Sequence, residues 1–292
     1  KSLYQNGYPV SVVYTQPPQK SQRGQKINKS PIQGISETLR IEYRTPVSLK
    51  DNKEEYNYLK ELDADLAIVV AYGQIIPKEY LSLVKKGFIN IHASLLPKLR
   101  GAAPIQRSII NLEKETGISI MRIGEKLDTG PVCNSYKINI MADDNSETIA
   151  EKLSKLASEK ILDNIDKILE DKIEFKEQNH KDATYAAKIE KKEGQIEWRE
   201  TAEKIIGKIN GLYPSPGAFF VYNGERYKIL KASLALGSGK IGEVLDNYLE
   251  VGCGDKKSIK ILEIQRQGKR PQNIGEFMLG SQIKKGSNLD NV

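Results

Sequence analysis

Residues 65–92 read DLAIVVAYGQIIPKEYLSLVKKGFINIH and contain two short apolar runs, Asp65–Ala71 and Gly87–His92, on either side of a helical segment, Pro77–Lys86. Short runs of aliphatic and β-branched residues that end in turn residues are typical of strands buried on both faces, as in a parallel sheet. Val10–Tyr14 (VSVVY) has the same character. Strands that alternate with helices predict an open, mainly parallel α/β sheet.

The sheet domain continues beyond these strands. Residues 104–116 predict another helix, which Gly117 would end. Ile118–Ile123 and Val132–Ile140 then predict two further strands joined by a loop, Gly124–Pro131.

The first domain closes with a long helix. Asp144 and Glu147 resemble a capping box ahead of an amphipathic segment, Thr148–Leu169. Residues 172–190 lose this periodicity and are strongly charged, which predicts a linker. We therefore predict a first domain over residues 1–171.

In residues 191–292 the pattern changes to short strands and turns, which predicts a second, smaller domain. One helix, Ala202–Asn210, precedes a series of short strands and turns. The Asn-Gly pair within Tyr222–Glu225 favours a tight hairpin. Further strands are predicted at Gly242–Leu245, Tyr248–Val251 and Ser258–Gln265. A small antiparallel β-barrel fits this pattern.

Basic residues are distributed unevenly along the chain. Residues 191–292 hold 17 Lys/Arg against 12 Asp/Glu, whereas residues 1–190 hold 28 against 26. The first acidic residue is Glu37, so the opening stretch is purely basic. A local basic surplus indicates a polyanionic partner, with nucleic acid as the first candidate.

Cysteine and histidine are too sparse for a metal centre. Cys133 and Cys253 lie far apart and form no Cys-x-x-Cys motif, and His92 and His180 are the two histidines of the chain. This pattern argues against structural zinc and fits a reducing cytoplasm. The sequence has no apolar run of membrane-spanning length, so we expect no membrane partner.

Asn90 and His92 are the reactive side chains of the run Gly87–His92. Because side chains alternate along a strand, these two point to one face and Ile89 and Ile91 to the other. They lie at the carboxyl end of a predicted parallel strand, where open α/β sheets bind ligands. A carboxamide can hydrogen-bond an oxyanion and an imidazole can carry a proton. The pair could equally be a structural polar contact.

A third candidate, Asp128, lies in the loop Leu127–Pro131 ahead of Thr-Gly-Pro. An aspartate in such a position most often forms a turn by bonding its own backbone. Arg100–Pro104 reads as a tight turn that feeds a helix. Neither segment indicates chemistry when it is taken alone.

Two long motifs, HASLLPKLRGAAPIQRSI (92–109) and ETGISIMRIGEKLDTGPV (115–132), resemble the core signature of the folate-dependent formyltransferases. Three further segments match in kind and order, namely VVYTQPPQKSQRGQKINKSPI (12–32), YAAKIEKKEGQIEW (185–198) and RQGKRPQ (266–272). The resemblance extends over essentially the whole chain. It implies a Rossmann-like first domain and an OB-like barrel as the second.

The resemblance also implies an activity, the transfer of a formyl group from 10-formyltetrahydrofolate to the α-amine of methionyl initiator tRNA for translation initiation. No metal and no covalent enzyme intermediate are required. The resemblance also implies that the catalytic residues are Asn90, His92 and Asp128, which match the catalytic residues of the family. The residues that contact folate are Ser94, Leu95, Leu96 and Pro97.

Each catalytic residue then has an expected role. Asn90 and His92 would bind the formyl oxygen as it becomes negative. Asp128, near His92, would help to relay the proton that the amine loses to N10 of the leaving folate. Free α-amines titrate at roughly 7.7–8.0, so positioning matters more than activation of the nucleophile.

Two groups of basic residues are the predicted contacts to tRNA. The first belongs to a loop without acidic residues, which in the family enters the acceptor arm; it comprises Lys20, Arg23, Lys26 and Lys29. The second lies in the barrel and comprises Arg266, Lys269 and Arg270. Phosphate pairing at these positions would give salt-dependent affinity.

The start of the chain departs from the family pattern. Family members open with a strand and a turn before their first helix, whereas Lys1–Tyr4 corresponds to the middle of that helix. We therefore expect the sequence to lack the first strand of its sheet domain.

Three other functions stay open at this point. A sister formyltransferase could act on a small amine, such as a purine precursor or a nucleotide sugar, and a hydrolase could release formate from the same folate. The basic loop and basic barrel disfavour a small acceptor. The protein could instead be a non-catalytic RNA-binding module, although its barrel lacks an obvious row of exposed aromatic residues for stacking bases.

Overall fold

The structure is a computed structural model, and it describes residues 1–21 and 26–290. The chain forms two compact units, neither of which is continuous in sequence. The first comprises Lys1–Ala102, Gly117–Lys137 and Leu153–Tyr185. The second comprises Ala103–Thr116, Ile138–Lys152 and Ala186–Val292.

The helices and strands are numbered in chain order. The α-helices of the described residues are α1 (Ser2–Gln5), α2 (Pro31–Leu39), α3 (Lys53–Glu61), α4 (Lys78–Leu81), α5 (Pro104–Ile110), α6 (Ser146–Leu169), α7 (Ala202–Leu212) and α8 (Ile274–Leu279). The strands are β1 (Val12–Tyr14), β2 (Gln19–Ser21), β3 (Lys26–Asn28), β4 (Glu42–Arg44), β5 (Ala67–Val69), β6 (Phe88–His92), β7 (Arg100–Gly101), β8 (Glu115–Arg122), β9 (Val132–Asn139), β10 (Tyr185–Ala186), β11 (Ala218–Tyr222), β12 (Glu225–Ala235), β13 (Glu250–Gly252), β14 (Ser258–Arg266) and β15 (Gln272–Asn273).

The first unit is built on parallel strand pairs. β1 pairs in parallel with β4, and β5 pairs in parallel with β6 in a sheet of order β5-β6-β8-β9. β8 runs antiparallel to β6. Ile89 of β6, Ile120 of β8 and Ile168 of α6 are buried in one cluster, as expected for strands covered by a helix. The predicted α/β, Rossmann-like first domain is confirmed.

The second unit is a curled antiparallel half-barrel. Its strands have the order β11-β12-β14-β13, with β15 added to β14. Asn223 and Gly224 both have positive φ angles, 49° and 75°, between β11 and β12, as the predicted Asn-Gly hairpin requires. Trp198, Ile205 and Phe220 are buried in its core. The predicted OB-like architecture is confirmed.

The helix predicted over residues 104–116 is too long. It ends at Ile110, and Gly117 lies inside β8 instead of ending a helix. α5 belongs to the same unit as α7 because the two helices pack closely. A Cβ atom on Gly211 would lie 2.5 Å from Cγ1 of Ile110. Residues 103–116, which the sequence analysis placed in the first domain, therefore belong to the second unit.

The predicted capping box at the start of α6 is also wrong. Oδ1 of Asn145 accepts the backbone N–H groups of Glu147 and Thr148 at 2.9 and 3.0 Å, so Asn145 is the capping residue. Asp144 instead forms an ion pair with Lys152 at 2.6 Å. A carboxylate one residue before the cap still lies close to the positive end of the helix.

Two smaller differences concern element length. Only Lys78–Leu81 of the predicted helix Pro77–Lys86 is an α-helix. Gly242–Leu245 forms isolated bridges in place of a strand, with Glu243 paired to Asn288 and Val244 to Val251. Residues 1–21 and 26–290 contain no helix long and apolar enough to cross a membrane.

Candidate active site

Asn90 and His92 lie on β6 with the alternation that the sequence predicts. Ile89 and Ile91 are buried, whereas the side chain of Asn90 is partly exposed at the carboxyl end of the parallel pair β5–β6. No hydrogen bond joins the carboxamide of Asn90 to another residue in the part of the chain that the structure describes. This group can therefore bind an oxygen atom of a ligand.

His92 is buried, and both of its ring nitrogens face oxygen atoms. Nε2 lies 3.0 Å from the carbonyl oxygen of Leu99. Because a carbonyl oxygen can only accept, Nε2 carries a hydrogen atom and donates it. Nδ1 lies 3.7 Å from Oδ2 of Asp128. The imidazole and the carboxylate therefore face each other at a separation somewhat longer than a direct hydrogen bond.

Asp128 is held by its backbone conformation and by one strong contact. Its φ angle is 51°, in the left-handed region that aspartate tolerates better than most residues. Oδ2 accepts the backbone N–H of Gly101 at 2.8 Å. The side chain thus bonds a distant segment and not its own turn, and the oxygen that it uses is the one that faces His92.

Three residues to which the sequence analysis gave no functional role support this pair. Gln178 donates from Nε2 to the carbonyl oxygens of Asp128 and Gly130 at 2.9 and 2.7 Å. Arg100, which is buried, donates to Oε1 of Gln178 at 3.1 and 2.7 Å. Thr184 accepts the N–H of Arg100 at 2.9 Å. Gln178 and Thr184 come from the stretch predicted as a linker, which therefore contributes to the site.

The predicted folate segment, Ser94–Pro97, follows β6 in a fixed backbone conformation. Oγ of Ser94 donates to the carbonyl oxygen of Lys98 at 2.6 Å. The hydroxyl of Ser119 donates to the carbonyl oxygen of Ser94 at 2.8 Å and accepts the N–H of Leu96 at 3.0 Å. The apolar side chains of this segment are partly exposed. Partly exposed apolar side chains of this kind can pack against a flat, apolar ligand.

The predicted tRNA contacts of the first unit are described in part. Lys29 is exposed and forms an ion pair with Glu37 at 2.9 Å, which raises the pKa of Lys29. Lys20 of β2 pairs with Ile27, and Lys26 of β3 pairs with Ser21. Arg23 lies outside the described residues.

In the second unit, the three predicted basic residues are exposed: Arg266 is the last residue of β14, and Lys269 and Arg270 follow the strand. Arg266 forms an ion pair with Glu225. This pair lowers the pKa of Glu225 and occupies part of the guanidinium.

The part of the chain that the structure describes contains no group of three or more His, Cys, Asp or Glu residues arranged to hold a metal ion. Cys133 and Cys253 are free, and burial raises the pKa of both thiols. Neither is a candidate nucleophile, because the thiolate is the reactive form of cysteine.

Family comparison gives two matches that together span most of the chain. Residues 1–165 match the formyl transferase family, and residues 188–282 match the formyl transferase C-terminal domain. Asn90, His92 and Asp128 all lie within the first match.

Curated relatives and solved structures agree with these matches. Methionyl-tRNA formyltransferase of Pelagibacter ubique (strain HTCC1062) is 72% identical over 100% of this chain and 94% of the relative. Methionyl-tRNA formyltransferase of Caldanaerobacter subterraneus subsp. tengcongensis is 41% identical over 99% of this chain and 94% of the relative. The sugar 3N-formyl transferase WlaRD, solved with dTDP and 5-N-formyl-THF, has a TM-score of 0.68 at 20% identity, with 92% of each chain covered. This last likeness concerns the fold.

Proposed function

This chain belongs to the formyl transferase family, and from that membership we propose that it transfers the formyl group of 10-formyltetrahydrofolate to the α-amine of methionyl initiator tRNA. The two full-length relatives named methionyl-tRNA formyltransferase support this acceptor. The product, formylmethionyl-tRNA, begins translation.

One arrangement carries the proposal. The open carboxamide of Asn90 stands two residues from His92, whose imidazole faces the carboxylate of Asp128 at 3.7 Å. Together they offer a hydrogen-bond donor and a proton-holding pair at the carboxyl end of a parallel strand, where open α/β sheets bind ligands. Acyl transfer to an amine needs both of these elements.

The chemistry divides among three residues. The bound folate supplies the formyl group. Asn90 donates a hydrogen bond to the formyl oxygen, which becomes negative as the amine nitrogen bonds to the formyl carbon. His92 and Asp128 take up the proton that the amine loses and return it to N10 of the folate as the bond from the formyl carbon to N10 breaks. The proton count is conserved, and no covalent bond to the protein forms.

The segment Ser94–Pro97 supplies the folate contacts in this proposal. Its backbone is fixed by Ser119, and its partly exposed apolar side chains give a surface on which a flat ring can pack. The site needs no metal for this reaction, because proton transfer and oxyanion binding are both assigned to side chains.

The tRNA is held by basic residues from both parts of the chain. We assign this role to Lys20, Arg23, Lys26, Lys29, Arg266, Lys269 and Arg270. The first unit is then the catalytic domain, and residues 191–292 of the second unit bind tRNA. The surplus of 17 basic over 12 acidic residues in 191–292 supports a polyanionic partner. The proposal places the protein in the cytoplasm, where initiator tRNA is used.

A small-amine acceptor is the nearest competing function. WlaRD, named a sugar 3N-formyl transferase, shares the fold at 20% identity. A likeness at this level shows the fold and not the acceptor, whereas the 72% and 41% identical relatives carry the name of the tRNA enzyme. The acceptor is therefore the point that an experiment must decide.

The test offers three acceptors to the full chain together with 10-formyltetrahydrofolate: methionyl initiator tRNA, methionyl elongator tRNA and a dTDP-linked aminosugar. We expect formylmethionine on the initiator tRNA and little product on the other two. Product on the aminosugar alone would assign the protein to the small-amine branch. Formate released without any acceptor would make it a hydrolase, and no turnover of folate would make it a binding protein.

A further inference from the structure

The carboxamide of Gln178 uses all of its hydrogen-bonding capacity in one network. Its Nε2 group donates to the carbonyl oxygens of Asp128 and Gly130, and its Oε1 atom accepts twice from the guanidinium of Arg100. The Gln178 side chain is buried. The partners lie 48 to 78 residues away in sequence, so the network joins separate segments of the chain.

Arg100 belongs to the segment that contacts both members of the proton-holding pair. The residue before it, Leu99, accepts the hydrogen bond from His92 at 3.0 Å. The residue after it, Gly101, donates to Oδ2 of Asp128 at 2.8 Å. A displacement of this segment therefore moves contacts of both His92 and Asp128.

We propose that Gln178 is a positioning residue for formyl transfer. It ties the backbone of the Asp128 loop to the Arg100 side chain, and this connection fixes the distance between the carboxylate of Asp128 and the imidazole of His92. The inference rests on the proposed function, since it assigns Gln178 to the same reaction. Gln178 itself does not touch the reacting atoms.

Neither glutamate nor alanine can make the four hydrogen bonds of Gln178. Glutamate accepts from Arg100 but cannot donate to two carbonyl oxygens while it is ionised. Alanine removes the donor to the two carbonyl oxygens and both bonds from Oε1 to the guanidinium, which among the described residues keeps only the contact of its Nη2 atom with Nδ1 of His180 at 3.0 Å. Buried polar groups that lose their partners are costly. Asp128 is already in the left-handed region with φ 51°, so its loop needs an external support to keep that conformation.

A double-mutant cycle separates positioning from general stabilisation. Gln178→Ala and Gln178→Glu are each made in the natural chain and in the Asp128→Asn background, and kcat and KM for initiator tRNA and for 10-formyltetrahydrofolate are measured. We expect each variant to lower kcat by about tenfold to a hundredfold with little change in KM, because small misplacements of reacting groups cost about that much. In the Asp128→Asn background the same change should lower kcat less than twofold.

Asn164→Ala is the matched control. Asn164 is also a buried amide of the first unit with three hydrogen bonds, to Asn134, Tyr136 and Lys160. Its loss should lower the melting temperature to a degree similar to Gln178→Ala and leave kcat unchanged. A comparable loss of kcat in Asn164→Ala would overturn the proposal, because the effect would then follow from stability.

A spectroscopic measurement is independent of turnover. The chain contains two histidines, so its ring ¹⁵N spectrum is simple, and the signals that are missing from a His92→Asn variant are those of His92. At one fixed pH, we expect the His92 signals to shift in Gln178→Ala and Gln178→Glu and to stay in place in Asn164→Ala. Unshifted His92 signals in both Gln178 variants, or equal losses of kcat in both Asp128 backgrounds, would overturn the proposal. If the natural chain shows no formylation, the proposed function fails, and the His92 signals still decide whether Gln178 sets the geometry.

Discussion

No side chain fits between Gly117 and Tyr136. A Cβ atom on Gly117 would lie 2.1 Å from the carbonyl oxygen of Tyr136 and 2.6 Å from Cδ2 of Leu95. Gly117 lies in β8, two residues before Ser119, which holds the backbone of Ser94 and Leu96. The glycine is thus required by a close backbone approach beside the segment Ser94–Pro97, and not by the end of a helix.

We therefore expect Gly117→Ala to lower the free energy of unfolding by about 1–3 kcal/mol, the usual cost of an overpacked core. Chemical denaturation measures this change. Gly34→Ala is the control: Gly34 lies within α2 with nothing within 4 Å of its Cβ position, and alanine there should raise stability by roughly 0.5–1 kcal/mol. Equal stabilities of the two variants would contradict the packing account.

Asp144 gives the second prediction, which concerns pH. Burial by itself would raise the pKa of Asp144, but hydrogen bonds from Lys152, the backbone of Met141 and Thr148 outweigh it and lower that pKa. A group with a lowered pKa stabilises the fold at pH values above its unfolded pKa, about 3.9 for aspartate, and loses this contribution as pH falls through the folded value.

Asp144→Asn should therefore lower the free energy of unfolding by about 1–3 kcal/mol at pH 7. The difference from the natural chain should shrink as the pH falls below about 4. Denaturation curves at several pH values measure it, with Asp143→Asn, an exposed neighbour, as the control. A difference that stays constant with pH would show that the charge of Asp144 is not what stabilises the fold.

The third prediction tests the open carboxamide of Asn90. If this group binds the formyl oxygen in the transition state, Asn90→Ala should cost about 2–4 kcal/mol of transition-state stabilisation, measured as the fall in kcat/KM. The affinity for folate should change little. A change in folate affinity with an unchanged kcat would instead make Asn90 a binding residue.

Arg23 carries the fourth prediction, which follows from the sequence. A guanidinium can stack on unpaired bases and hydrogen-bond them, whereas a lysine acts mainly as a point charge. We expect both Arg23→Ala and Arg23→Lys to impair formylation of initiator tRNA, with folding and folate binding unchanged. Lysine should restore little activity if base contact matters, and nearly all of it if charge alone matters.

The measurement compares initiator and elongator tRNA at two salt concentrations, because phosphate contacts weaken as salt rises. Lys60→Ala, an exposed cation on α3, controls for the loss of one surface charge. If both Arg23 variants keep the natural preference for initiator tRNA, Arg23 has no role in tRNA recognition.

Local patterns predict the strands and the pair on β6 well. The apolar run Gly87–His92 alternates as a strand must, and Asn90 and His92 therefore share a face. The site's supports were not predictable in the same way. Gln178 and Arg100 lie 78 residues apart, and only the tertiary structure brings them together. The sequence therefore predicts a linker for the charged stretch 172–190, which contains Gln178. The sequence predicts that Gly117 ends a helix, because a glycine after a helical pattern commonly does so, but Gly117 lies inside β8.

The measurement that tests the central claim most directly is the single-turnover rate of formylation of methionyl initiator tRNA by Asp128→Asn. Asparagine keeps the size, tolerates the φ angle of 51° and can still accept the N–H of Gly101, so only the charge facing His92 is lost. Asp171→Asn is the control, because Asp171 has a similar φ angle of 55° and pairs with Lys86 outside the site.

If His92 and Asp128 together move the proton from the amine to the folate, Asp128→Asn should slow formylation by about a hundredfold or more, with folate binding nearly intact. Asp171→Asn should formylate at the natural rate. A natural rate in Asp128→Asn would contradict the account, because the proton would then reach the leaving group without the carboxylate.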